Sequence, residues 1–114
     1  MSDNFTAKKL AIKRARVNIK SLAAEIKIIK AEMRKTNDVI VKNDLHDHHI
    51  NKVRPEARLA NLAIGYLKGR KRCEVESTTK EINFNKLREK IAKFCTYGLV
   101  VPSIDEVVKW YKVS

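Results

Sequence analysis

The chain has 114 residues, with 25 Lys and Arg against 13 Asp and Glu and a formal net charge of +12. Its length suits a single domain burying about two-thirds of the surface its unfolded form would expose, while the charge bears on partners and solubility, not fold, and makes a polyanion the default partner. The longest apolar runs, such as Tyr97 to Pro102, fall far short of the ~20 residues that span a bilayer, and no secretory pattern opens the chain, so an intracellular, cytoplasmic protein without a membrane role is expected.

With three glycines and two prolines there are few breakpoints, and the expected class is all-α: a long amphipathic helix packed with a cluster of shorter ones. Ile12, Ala15, Ile19, Leu22, Ile26, Ile29 and Met33 follow one another in steps of three and four, the spacing of one helical stripe and of a coiled-coil seam. A helix from Ala7 to Lys35 would be ~43 Å long, against ~34 Å for a compact globule of this size. It must form a long edge of the fold or project and pair, either within the chain or in a homodimer. Asp3, Asn4 or Thr6 could cap its start, and Thr36-Asn37-Asp38 offers an end or a kink.

Residues 37–54 read as a polar helix or connector. Pro55 suits a first helical position, with Glu56 near the positive end of the helix dipole. Ile50, Val53, Ala57, Ala60, Ile64 and Leu67 nonetheless keep helical steps across the proline, so one kinked continuous helix is the rival reading. Gly69 stands where a left-handed cap is expected, and the cations after it oppose the negative end of the dipole.

Cys73, Val75 and Glu76 open a short turn or helix, and Ser77-Thr78-Thr79 a loop or cap. Asn83 or Asn85 can cap a helix carrying Phe84, Leu87, Ile91, Phe94 and Cys95 and ending at Tyr97-Gly98. Ser103 and Glu106 have capping-box spacing, and Val107, Val108, Trp110 and Tyr111 make a last helix with Trp110 as its core anchor. The chain divides into a long basic helix over 1–36, the connector over 37–54 and a helical cluster over 55–114.

Charge is uneven along these parts: residues 1–36 hold ten Lys and Arg against three Asp and Glu, whereas residues 37–54 balance at three and three. Lys8, Lys9, Lys13, Arg14, Arg16 and Lys20 meet no acid between Thr6 and Ala24. A solvated polar face accounts for the mixed charges further along, but cations near the positive end of a helix dipole are unfavourable unless something supplies countercharge. A phosphate backbone would do so. Lys68, Arg70, Lys71 and Arg72 in the stretch LKGRKR form a second contact.

The segment from Arg58 to Phe94 resembles a helix-turn-helix unit in layout alone, and such units read bases with the start of their last helix. Here Asn83, Asn85, Lys86 and Arg88 would take that place. Asp44, His46, Asp47, His48 and His49 are able to ligate metal, but their spacing fixes no four-ligand site, and a polar helix end explains them. Cys73 and Cys95 form no CxxC pair and are expected to remain reduced. No phosphate-cradling, zinc-protease or nucleophile-elbow motif is present, so neither an enzyme nor a cofactor is expected.

Two functions fit. The first is a small non-enzymatic DNA- or RNA-binding module that grips phosphates with the first helix and the 68–72 turn. The second is a protein-interaction or inhibitor module, such as a phage or plasmid accessory protein acting on an acidic or nucleoprotein partner in the host cytoplasm. A positive surface joining the two cation groups would favour the first; exposed apolar patches would favour the second.

Overall fold

The computed structural model describes residues 2–70 and 82–112, with side chains from Phe5 onward. Helix α1 runs Ser2–Lys35. It begins earlier than expected, so Asp3, Asn4 and Thr6 lie inside the helix and do not cap it. The expected stripe is the inward side, yet of its members only Ala15 and Ile29 are fully buried. The tightest part of the seam is instead Ala7, Ala11 and Ala15, at 4%, 0% and 0% exposure. Small side chains permit close approach of two helices, so burial centres on the alanines and leaves the larger stripe residues half-covered.

The chain then turns through Thr36–Asp38. Thr36 Oγ1 accepts from the Asp38 amide at 3.2 Å, and Asp38 Oδ1 accepts from the amides of Ile40 at 2.9 Å and Val41 at 3.5 Å. These bonds satisfy otherwise orphaned donors at the start of helix α2, Val39–His48. A π-helical turn, His49–Val53, leads directly into helix α3, Arg54–Leu67. The Arg54 amide donates to the His49 carbonyl, five residues back.

A helix break at Pro55 is therefore not observed; the chain continues through it as the rival reading of one continuous helix requires. Proline has no N–H to give and its ring crowds the carbonyl four residues earlier, and the wider π turn immediately before Pro55 absorbs both problems. The path from Val39 to Leu67 returns antiparallel along α1, and the long helix pairs within its own chain.

Asn83 caps helix α4, Phe84–Phe94, through Oδ1 accepting from the Lys86 amide at 3.2 Å. Helix α4 ends at Phe94, short of Tyr97-Gly98, because Cys95 adopts extended backbone. Thr96 Oγ1 then donates to the Ala7 carbonyl at 3.0 Å, tying this turn to the start of α1. In helix α5, Ile104–Lys112, the capping box forms in both directions: the Glu106 amide donates to Ser103 Oγ at 3.2 Å, and the Ser103 amide to Glu106 Oε2 at 3.3 Å.

One core joins Ala11 and Ala15 of α1, Leu62, Ala63, Ile64 and Leu67 of α3, Leu87, Ile91 and Phe94 of α4, and Val107 of α5. Val107 is the buried anchor of α5, not Trp110, which is half-exposed. Trp110 cannot withdraw fully because its indole N–H donates to a backbone carbonyl in the exposed turn after α3. Buried Lys90 extends its ammonium to Glu56 Oε2 at 2.9 Å, pinning α4 to the first turn of α3.

This four-helix head occupies one end of a molecule measuring 56 × 27 × 21 Å. The rest is a two-helix arm made of the second half of α1 with α2 and the π turn, sealed by Ile29, His49 and Val53. No strand occurs among the described residues. The turn expected over Cys73–Glu76 and the loop at Ser77-Thr78-Thr79 lie outside them.

Leu87 is fully enclosed where α4 meets the core, so Leu87→Ala should cost about 2–5 kcal/mol in a urea titration. A loss below ~1 kcal/mol would contradict the core described. His49 supplies a pH-dependent term. Burial, then Lys30, Arg54 and His46, hold its pKa below 6.5. As pH falls through 6.5 the unfolded chain takes up this proton before the folded chain does, so His49's contribution is complete above 6.5 and lost on acidification toward the lower folded value. Melting temperature should therefore fall less between pH 7.5 and 5.5 in His49→Leu than in the wild type.

Candidate nucleic-acid interface

The turn after α3 is built by a Schellman motif. Gly69 takes φ +71°, the left-handed conformation that side chains disfavour, while its amide donates to the Tyr66 carbonyl at 3.0 Å and the Arg70 amide to the Gly65 carbonyl at 2.9 Å. Trp110 fixes the turn from outside, its Nε1 donating to the Arg70 carbonyl at 2.8 Å and its ring meeting Tyr66 edge-on at 5.6 Å. The sequence identifies the glycine cap but not this tryptophan contact, which links positions 40 residues apart.

Held in this way, the end of α3 lies beside α1. Lys9, Lys13 and Arg16 of α1 and Lys68 share the lining of one open groove of about 680 Å³, with Thr6, Leu10 and Ile12 completing it. Partial burial and the neighbouring Arg16 and Arg70 guanidinium groups push the Lys68 ammonium below its ordinary pKa. An anion seated in the groove would relieve that repulsion, because like charges at short range raise the energy of the charged state and a countercharge lowers it.

Other expected residues are placed differently. Lys8 borders a second groove with Tyr66, Leu67, Cys95, Leu99, Val100 and Pro102. Arg14, Lys20 and Arg70 are exposed but do not line the first groove. Lys86 lies apart, in a shallow depression with Glu56, Leu59, Glu89, Lys90 and Lys93. Arg88 is engaged in the fold, its Nε donating to the Pro102 carbonyl at 2.9 Å. Lys71 and Arg72 lie outside the described residues.

The histidine segment is divided by its helix. His49 faces inward, whereas exposed His48 reaches Glu25 of α1 at 3.4 Å. Among the described residues no group of three or more His, Cys, Asp or Glu is arranged to hold a metal ion. Cys95 donates its thiol to the Ile91 carbonyl at 3.3 Å, and burial raises its pKa, the opposite of what a reactive thiolate requires. Among the described residues no helix is long and apolar enough to cross a membrane.

A Cβ at Gly69 would meet no atom within 4 Å. Gly69→Ala should therefore cost only backbone strain, about 1–2 kcal/mol, read as a lower melting temperature with an unchanged helical spectrum. Comparison with protein-family models, with curated proteins and with solved structures returned no match for this chain.

Proposed function

We propose that this chain is a small non-enzymatic nucleic-acid-binding protein that grips phosphate backbone between α1 and the turn after α3. The observation carrying the proposal is the groove in which Lys9, Lys13 and Arg16 meet Lys68 across two helices. Lys68 lies far from the other three in sequence, and among the described residues no carboxylate lines the groove with them. Buried Lys90, by contrast, is paired with Glu56. A phosphate chain supplies what the groove lacks, several negative charges at close spacing.

Base reading by a helix-turn-helix arrangement has less support. Asn83 is spent on capping α4 and Arg88 on the Pro102 carbonyl, leaving exposed Asn85 and Lys86 at the start of that helix. Backbone contact without strong sequence preference is the better reading.

A second reading is favoured by a different observation. Val39, Ile40 and Val41 stand exposed at the tip of the arm, and Tyr97 and Val100 project from the loop before α5. Exposed apolar groups of this kind suit a protein partner, including an acidic or nucleoprotein one.

The test is retention on nucleic acid at two salt concentrations. If about five phosphates are neutralised, affinity should fall several hundredfold between 50 and 200 mM salt. Lys9→Glu, Lys13→Glu and Arg16→Glu combined should abolish binding with folding intact. Unchanged retention in that variant, or no binding by the wild type at 50 mM, would refute the proposal.

A further inference from the structure

The cations of α1 continue beyond the groove in a pattern that the count of charges does not disclose. Lys9, Lys13, Arg16, Lys20, Lys27 and Arg34 are separated by four, three, four, seven and seven residues, and all six are exposed. At 3.6 residues per turn these steps keep the six within an arc of about 60°, so they form one row along the helix. The acids of this part of α1 lie elsewhere on its circumference. Glu25 is turned toward α2, where it meets His48, and Glu32 falls about a third of a turn from the centre of the row. In the gaps of the row stand Ala23, Ala24 and Ala31, exposed, uncharged and small.

Resting on the nucleic-acid reading above, we infer that this row is a binding site for duplex nucleic acid and that Lys27 and Arg34 belong to it. From Lys9 to Arg34 the row extends ~38 Å at 1.5 Å per residue, slightly more than one ~34–36 Å turn of B-form duplex. A stiff ligand with about one charge per 1.7 Å of axis can meet cations along that whole length. A flexible single strand is held in a different way, by aromatic rings interleaved with the cations so that bases stack on them. The row has none. The aromatic residue at its start, Phe5, has its ring covered by the Lys9 ammonium at 5.3 Å from the ring centre.

The arm thereby acquires a purpose that the head does not need. Helix α1 is packed past the core against α2 and the π turn, with Ile29, His49 and Val53 as the seal. That pairing keeps Lys27 and Arg34 in line with the groove cations.

The experiment measures binding of the full chain to a 16-base-pair DNA duplex, a 16-base-pair RNA duplex and a 16-nucleotide single strand, between 50 and 200 mM salt. The wild type should prefer at least one duplex over the single strand by on the order of tenfold or more. Lys27→Glu with Arg34→Glu should weaken duplex binding by a similar factor and reduce the salt slope by about 2, at ~0.9 per phosphate contact, with an unchanged helical spectrum. Equal affinity for single strand and duplex would overturn the duplex assignment. A double variant that binds duplex with unaltered affinity and slope, while the Lys9, Lys13 and Arg16 reversals still abolish binding, would end the row at the groove and leave the general reading standing. Absence of any binding by the wild type at 50 mM would remove both.

Discussion

The close seam between α1 and α3 governs the rest of the molecule. Ala7, Ala11 and Ala15 are buried on α1, and Ala60 and Ala63 on α3. Side chains this small contribute little burial each, but they let the two backbones lie near one another over several turns, and they fix the rotation of α1 about its axis. Once the alanines face inward, the residues half a turn away must face solvent, and these are lysines and arginines. The same seam brings the end of α3, with Lys68, alongside Arg16.

Charge is distributed accordingly. Within the head, two cations that approach the core have defined partners: Lys90 meets Glu56, and Arg88 meets the Pro102 carbonyl. Burying an ammonium is costly unless it is paired, so these contacts are a condition of folding. On the outer face of α1 the cations remain exposed, and among the described residues none of them has a carboxylate partner. A protein this basic repels itself in its compact state. The distinction between cations serving the fold and cations available to a ligand therefore follows from burial and partners, not from charge density along the sequence.

The arm rests on a smaller interface. Its inner side is sealed by Ile29, Val53 and neutral His49, and the π turn carries the chain past Pro55 without breaking the helix. Burial, with Lys30 and Arg54 nearby, lowers the pKa of His49, so its protonation on acidification works against the packed arm. The buried Asn18 side-chain oxygen, which has no hydrogen-bond partner among the described residues, lies on α1 between the head and the arm. The two parts share a helix but differ in what holds them.

Local chemistry determined much of this protein. The helical steps from Ile12 to Met33, the left-handed Gly69, the Asn83 cap and the Ser103–Glu106 box are interactions between residues a few positions apart, and they are legible in the sequence for that reason. The acid-free run from Lys8 to Lys20 is legible too, as composition. What the sequence did not settle required contacts across long separations or a comparison of packing. At Pro55 the helix continues through a π turn, whose wider hydrogen-bonding pattern accommodates the proline ring. Trp110 was drawn from the core to a carbonyl 40 residues earlier in the chain. Above all, whether Lys9, Lys13 and Arg16 stand with Lys68, and Lys8 apart, depends on which face of α1 is buried, and only the alanine seam with α3 decides that.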